Sequence, residues 1–336
     1  MTDEPPLFEM TTNPPPLAGQ SADPGLDAVE SWFRSQEDLD ARFGQVFRKS
    51  IDEVLDGQRT ARFDLYIKEG KGRVEKTEKT YLGTKVEIVT RTEFDLGYGS
   101  PMDYVICGQH VDAKFTMGKS WTIPKEADGH ICLVMRADDR TGNFQVGLLR
   151  ITSDVLNNGL NGDQKRGTSA ASRSGTRWIV EHGELPENFL LRLRDRSPEK
   201  VEAIFHASDG YRGRGNGGQL RVNELFRQVP GQLVDRTTVV TVATQHDSPK
   251  RVRDARKHLR KSGIVILGYS QPDPDIAADL ELPIPGQGTW VSAKLSMVDD
   301  GSPRKSTLIN GIRHALWSEG DESIVAPVIK HAKSEA

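Results

Sequence analysis

The sequence predicts an α/β protein in two parts: a region of helices and short strands, then a domain of winged helix-turn-helix type. Three observations carry that expectation. Apolar residues first recur at helical spacing and then in short, partly alternating runs divided by Gly, Pro and Asp clusters. A boundary falls near Gly183–Glu187, beyond which helical patterns dominate. In that second part a short, densely basic helix is preceded by another helix and followed by a strand, the order of a winged helix-turn-helix.

Residues 1–26 hold six prolines and several acids. They cannot bury enough apolar surface to offset their ordering entropy, so a disordered tail is expected there. Leu26, Val29 and Phe33 open a helical pattern that Leu39, Phe43, Val46 and Phe47 repeat, and a helix over Leu39–Leu55 is expected to stop at Asp56-Gly57. Thr80–Glu93 suits two readings: Leu82, Val86 and Val89 fit a helix, Val86 and Ile88 a strand. Strands follow at Met102–Ile106, His110–Phe115, Ile131–Ala137 and Phe144–Ile151. Residues 157–176, rich in Gly, Asn, Ser and Arg, read as a surface excursion, with a short helix near Arg177–Val180. The expected organisation is therefore a tail over 1–26, a first domain over 27–182, a linker over 183–187 and a second domain over 188–336. In the latter, helical patterns at Arg221–Val229, Arg236–Thr244 and Pro249–Lys261 run into a strand at Ile264–Tyr269.

At 336 residues the chain can bury two ordinary cores. No run approaches the roughly 20 apolar residues of a membrane span, and no secretory signal is recognisable, so no membrane partner is expected. Two cysteines, Cys107 and Cys132, make no disulfide scaffold, and a reducing cytoplasm is the expected location. The net charge of −3 conceals segregation. Residues 1–40 set nine acids against Arg34 alone, whereas residues 212–261 set twelve Lys or Arg against Glu224, Asp235, Asp247 and Asp254. A polyanion is expected to bind the basic stretch.

The chemistry is concentrated in Met102 through Phe115. If Cys107-Gly108 form a two-residue turn, Tyr104 pairs with Val111, Val105 with His110, and Asp103 faces Asp112. Opposed residues share a face, with Cβ atoms about 4.5–5.5 Å apart. Lys114, two residues on, points the same way as Asp112. Facing carboxylates repel unless a proton or cation lies between them, and hard oxygen ligands in that arrangement suit Mg²⁺. A nearby ammonium orients an attacking water and offsets the extra charge of a phosphoryl transition state. Glu87, one element upstream, is a further candidate carboxylate. An isolated Asp-x-Lys is common on exposed strands; the opposing Asp gives this one its meaning.

Glu87, Asp103 and Asp112-Ala113-Lys114 match the active-site pattern of the PD-(D/E)xK nucleases, and more narrowly the chain resembles the NaeI-type restriction endonucleases. The matching blocks are Asp56-Gly-Gln-Arg-Thr60, Lys76-Thr-Glu-Lys-Thr80, Val86-Glu-Ile88, Gly108 through Phe115, Gly129-His-Ile-Cys-Leu-Val134, Gly218–Arg227, Lys250-Arg-Val-Arg253 and Gly263–Gly268. The resemblance implies a restriction-endonuclease-like α/β core, a mixed sheet flanked by helices, and a C-terminal helix-turn-helix domain. It implies a homodimer that cuts double-stranded DNA with Mg²⁺, each second domain binding another copy of the recognition sequence and stimulating cleavage. By position it makes Glu87, Asp103 and Asp112 the metal group and Lys114 the catalytic lysine. Val54-Leu-Asp56-Gly57 is also similar to the Lys-x-Asp-Gly signature of DNA ligases. Val54 stands where the lysine would be, and without an amine there is no covalent adenylate.

In the second domain Val252, Ala255 and Leu259 face a core, while Lys250, Arg251, Arg253, Arg256, Lys257, Arg260 and Lys261 cover the remaining surface. Ser248 is expected to cap this helix, with Pro249 at its first position. Such side chains hold phosphates and read guanine edges; the plainer reading is a solvated basic face. Gly213, Gly215 and Gly218 spell a literal G-x-G-x-x-G, but a helix rather than a strand precedes it, which argues against a dinucleotide site. A backbone-contacting loop and a plain mobile loop both remain open. His130-Ile-Cys132 reads as core, and Asp273-Pro-Asp275 as a turn. Two other functions share this sequence: a repair or nicking endonuclease on the same core, and a DNA-binding regulator whose nuclease half is only structural.

Overall fold

The computed structural model describes residues 23–70, 72–212, 216–245 and 247–331. The expected tail lies outside these up to residue 22, as does the centre of the Gly-rich loop. Among the described residues no helix is long and apolar enough to cross a membrane. The chain divides into two compact units. One takes the chain up to Arg42 with Thr90–Arg136 and Phe144–Gly183; the other takes Phe43–Val89, Ala137–Asn143 and the chain from Glu184 onward.

In the first unit a helix over Pro24–Arg34 begins where Asp23 accepts a hydrogen bond from the Leu26 N–H (2.9 Å). Arg150 clamps the same carboxylate, so Asp23 and Pro24, within the expected tail, are held in the fold. Leu26, Val29 and Phe33 are buried, as their spacing predicts. A six-stranded sheet runs in the order Gly97–Tyr98, Tyr104–Ile106, Gln109–Thr116, Ile131–Asp138, Asn143–Arg150, Arg177–Glu184. It is mixed: Tyr104–Ile106 pairs antiparallel with Gln109–Thr116, which pairs parallel with Ile131–Asp138. Ile131 through Met135 are all buried, the continuous apolar run of a strand covered on both faces.

One sequence expectation fails here. Arg177–Val180 is part of a strand, Arg177–Glu184, rather than a short helix. The β-branched pair Ile179-Val180 is buried there, which suits a pleated surface. The excursion at 157–176 lies at the surface through residue 165, as expected, and carries strands of its own. Leu156–Leu160 and Arg166–Thr168 form a hairpin, and Arg166–Thr168 also pairs with Thr122–Ile123 to make a three-stranded sheet.

The segment with two readings is one helix, Lys76–Glu93. Leu82, Val86 and Val89 are buried while Ile88 is exposed, so the helical period decides. Helix Leu39–Leu55 has the expected bounds and stops at Asp56-Gly57, as predicted. Asp56 takes a left-handed conformation and a short helix, Gly57–Thr60, follows.

The second unit buries Val222, Leu225, Phe226, Val239, Val242, Val252, Ala255 and Leu259 in one core. These come from helices Gly217–Gln228, Arg236–Ala243 and Ser248–Leu259. Strands Leu233–Asp235 and Ile264–Leu267 both pair antiparallel with Thr289–Met297. The cap of Ser248–Leu259 is Asp247, which accepts from the Lys250 N–H (3.1 Å), and not Ser248, which is the first helical residue. Asp273-Pro-Asp275 opens a helix, Asp273–Asp279, rather than forming a turn. Asp273 is fully buried and accepts from the Gly268 N–H and Arg256, with His331 Nε2 2.8 Å from its other oxygen.

The last glycine of the G-x-G-x-x-G run has a packing reason. A Cβ on Gly218 would lie 2.3 Å from the Ala243 carbonyl oxygen, so only glycine lets these helices approach so closely. Gly218→Ala is expected to cost about 1–3 kcal/mol through this overlap. An unchanged urea midpoint for the variant would refute the close-packing explanation.

Candidate active site

The turn between the first two long strand partners is the one the sequence predicts. Cys107 and Gly108 both have positive φ (51° and 74°), as a tight primed turn requires. The register is Tyr104↔Val111, Val105↔His110 and Ile106↔Gln109. Asp103 lies just ahead of Tyr104, and one of its oxygens accepts from the Ala113 N–H at 2.7 Å. That bond fixes the carboxyl beside the strand that carries Asp112 and Lys114.

Asp112 is buried, and Lys114 Nζ approaches its Oδ2 to 2.7 Å. Lys114 also donates to the Ala113 carbonyl (3.0 Å). Burial pushes the Asp112 carboxyl above its ordinary pKa; the Lys114 ammonium pulls it back, and the hydrogen-bonded Asp103 carboxyl pushes it further up. Asp103, Asp112 and Lys114 thus converge on one place in the first unit. Two hard carboxylates side by side, one held by a backbone donor and the other buried, suit a divalent cation of the Mg²⁺ type.

Glu87 lies on helix Lys76–Glu93 and is partly buried. Among the described residues no group of three or more His, Cys, Asp or Glu side chains is placed to hold a metal.

Two neighbours were not foreseen as part of this site. Cys132 stands beside Asp112 in the parallel register, its thiol 3.6 Å from Oδ2. Burial pushes that thiol well above its ordinary pKa, so it remains a weak S–H donor to the carboxylate. Arg91 donates to the Asp103 carbonyl (3.3 Å) and lies over the Tyr98 ring, 4.4 Å from its centroid. Both contacts join residues that no local sequence pattern links.

The basic helix Ser248–Leu259 has a less uniform surface than its sequence implies. Lys250, Arg253 and Lys257 are exposed, and Lys250 and Lys257 flank Asp254 at 4.0 and 3.9 Å. Arg256 is turned inward to Asp273 (2.9 Å) and the Ile266 carbonyl. Burial lowers its pKa even with Asp273 alongside. Arg260 donates to the Ala326 carbonyl, and Arg251 is partly buried.

Comparison with known proteins agrees over nearly the whole chain. The profile of the family described as restriction endonuclease NaeI matches residues 27–326. The type II restriction enzyme NaeI of Lentzea aerocolonigenes is 38% identical over 325 residues, covering 95% of this chain and 99% of that protein.

Proposed function

Because the chain belongs to the NaeI family of restriction endonucleases, we propose that it is a Mg²⁺-dependent type II enzyme that cuts double-stranded DNA at Asp103, Asp112 and Lys114. Membership makes it a DNA-hydrolysing, site-specific enzyme; the metal, the residues and the assembly are the proposal. The observation that carries the site assignment is the convergence of the Asp103 carboxyl and the Lys114 ammonium on the buried Asp112.

In this reading Asp103 and Asp112 would hold the ion, and the family resemblance assigns Glu87 to the same metal group. The bound ion would supply Lewis-acid polarisation of the scissile phosphate and a more acidic water. Lys114 meets the phosphate as a compact positive charge, where it orients the nucleophile and offsets the charge that builds in the transition state. The Cys132 thiol and the Ala113 N–H fix the two carboxyl groups, so their orientation is set before DNA arrives.

The second DNA contact is proposed at a winged helix-turn-helix built from Arg236–Ala243, Ser248–Leu259 and the strands Ile264–Leu267 and Thr289–Met297. Lys250, Arg253 and Lys257 present their charge outward to phosphates and base edges, while Arg256 and Arg260 hold the helix to its surroundings. Two chains, each with two DNA-binding domains, complete the proposed assembly.

The purified protein with Mg²⁺ should convert a supercoiled plasmid to linear DNA, and digested genomic DNA should carry one terminal sequence at every end. Circles nicked without fixed ends would favour a repair enzyme. DNA binding without cleavage on varied substrates would favour a regulator. Either result overturns the proposal.

A further inference from the structure

The hairpin Leu156–Thr168 is built at one end and open at the other. Its base is anchored: Leu156 and Val155 are buried with Trp121 and Ile123, and the Trp121 N–H donates to Thr168 Oγ1 while its carbonyl accepts from the Thr168 N–H. Beyond the base, every residue from 157 to 165 is exposed, so both faces of the ribbon meet solvent. Beneath it, a cavity of about 600 Å³ takes the place of packed core; its lining includes Pro124, Lys125, Leu160 and Arg166, and Gln164 and Lys165 of the tip stand at its edge. A two-stranded ribbon with no buried face adds little to the stability of a fold.

Its tip is nevertheless rigidly shaped. Asn161 Oδ1 accepts from the Asp163 and Lys165 N–H groups (3.0 and 2.9 Å), and the Asn161 N–H donates to the Lys165 carbonyl. Arg166 donates to the Asn157 carbonyl, and the Asn157 amide to the Thr168 carbonyl. Those side chains hold the ribbon together. The side chains of Asn158, Gln164 and Lys165 take no part in these bonds, and all three residues are exposed.

We propose that this hairpin enters the major groove of the cleaved DNA and that Asn158, Gln164 and Lys165 read base edges there. The major groove admits a two-stranded β-ribbon, and Asn and Gln pair in bidentate fashion with adenine while Lys reaches guanine O6 and N7. The ribbon's neighbour, Thr122–Ile123, follows in the chain directly after the strand bearing Asp112 and Lys114, and all of these belong to one unit. A groove-reading ribbon tied to that strand sets which phosphate meets the cutting residues. This inference rests on the nuclease reading and adds to it the residues that choose the sequence.

The test compares the wild-type chain with Asn158→Ala, Gln164→Ala and Lys165→Ala. Substrates are duplexes carrying the wild-type cutting site, every single-base variant of it, and unrelated DNA. At least one substitution should lower kcat/KM at the cognate site by about tenfold or more and flatten the preference at one base pair. Each should leave the urea midpoint unchanged, and Asn158→Ala and Gln164→Ala, which remove no charge, should leave the affinity for unrelated DNA unchanged. Site-specific cutting by the wild-type chain with unaltered rate and base preference in all three variants would overturn the ribbon proposal and leave the nuclease reading standing. Absence of cutting by the wild-type chain would remove both.

Discussion

Lys114→Ala is expected to lower the rate of DNA cleavage by at least about a hundredfold, the usual loss when one preorganised charge-stabilising donor is removed. Asp112→Ala should do at least as much, because it deletes the carboxylate on which both Asp103 and Lys114 converge. Neither substitution touches the exposed face of helix Ser248–Leu259, so DNA affinity by gel shift should stay close to wild type. The two variants separate chemistry from binding. Loss of DNA affinity in parallel with loss of cutting would mean that the cluster supports the fold rather than the reaction. Undiminished cutting by both would refute the site assignment outright.

The second large effect is on stability. Arg48 is buried in the second unit, where its guanidinium meets Asp139 (2.6 Å) and Asp52 (2.8 Å). Asp139 also accepts from the Asn188 amide, which reaches the Phe63 carbonyl as well. Arg48→Met leaves Asp139 buried without its ion partner and should cost about 3–5 kcal/mol, read as a fall in the urea midpoint. Arg48→Met with Asp139→Leu should recover part of that loss, since removing both charges costs far less than orphaning one. A midpoint unchanged in Arg48→Met would show that the pair contributes nothing to stability.

Asp52 gives the same cluster a pH signature. Burial pushes its carboxyl up to about 6, against the pull of Arg48. The unfolded chain releases this proton near its ordinary value of 3.8, whereas the folded chain keeps it until about 6. Between those limits the folded state binds more protons, so this group's contribution falls as pH rises and is flat above the window. Asp52→Asn removes the titration. Its stability should therefore decline less than that of the wild type from pH 4 to 6, and equal slopes would rule out Asp52 as the source.

The candidate site was legible because Asp103, Asp112 and Lys114 are close in the chain. A two-residue turn at Cys107-Gly108 fixes the pairing of its flanking strands, and strand alternation then puts Lys114 on the side of Asp112. Local periodicity likewise gave helix Leu39–Leu55 its bounds and the basic helix its core residues. Where two periods overlapped, as at Leu82 through Val89, burial had to choose between them.

Sequence alone determined the acidic hairpin, the segregation of charge and the kinship of the chain. Those follow from neighbours along the backbone or from whole blocks of residues. Only the folded chain placed the Cys132 thiol beside Asp112, made Arg177–Glu184 a strand, and turned Arg256 from a surface charge into the partner of buried Asp273. Each depends on which distant segment packs alongside, because burial and pairing, unlike turn geometry, are set by contacts that the local pattern does not encode.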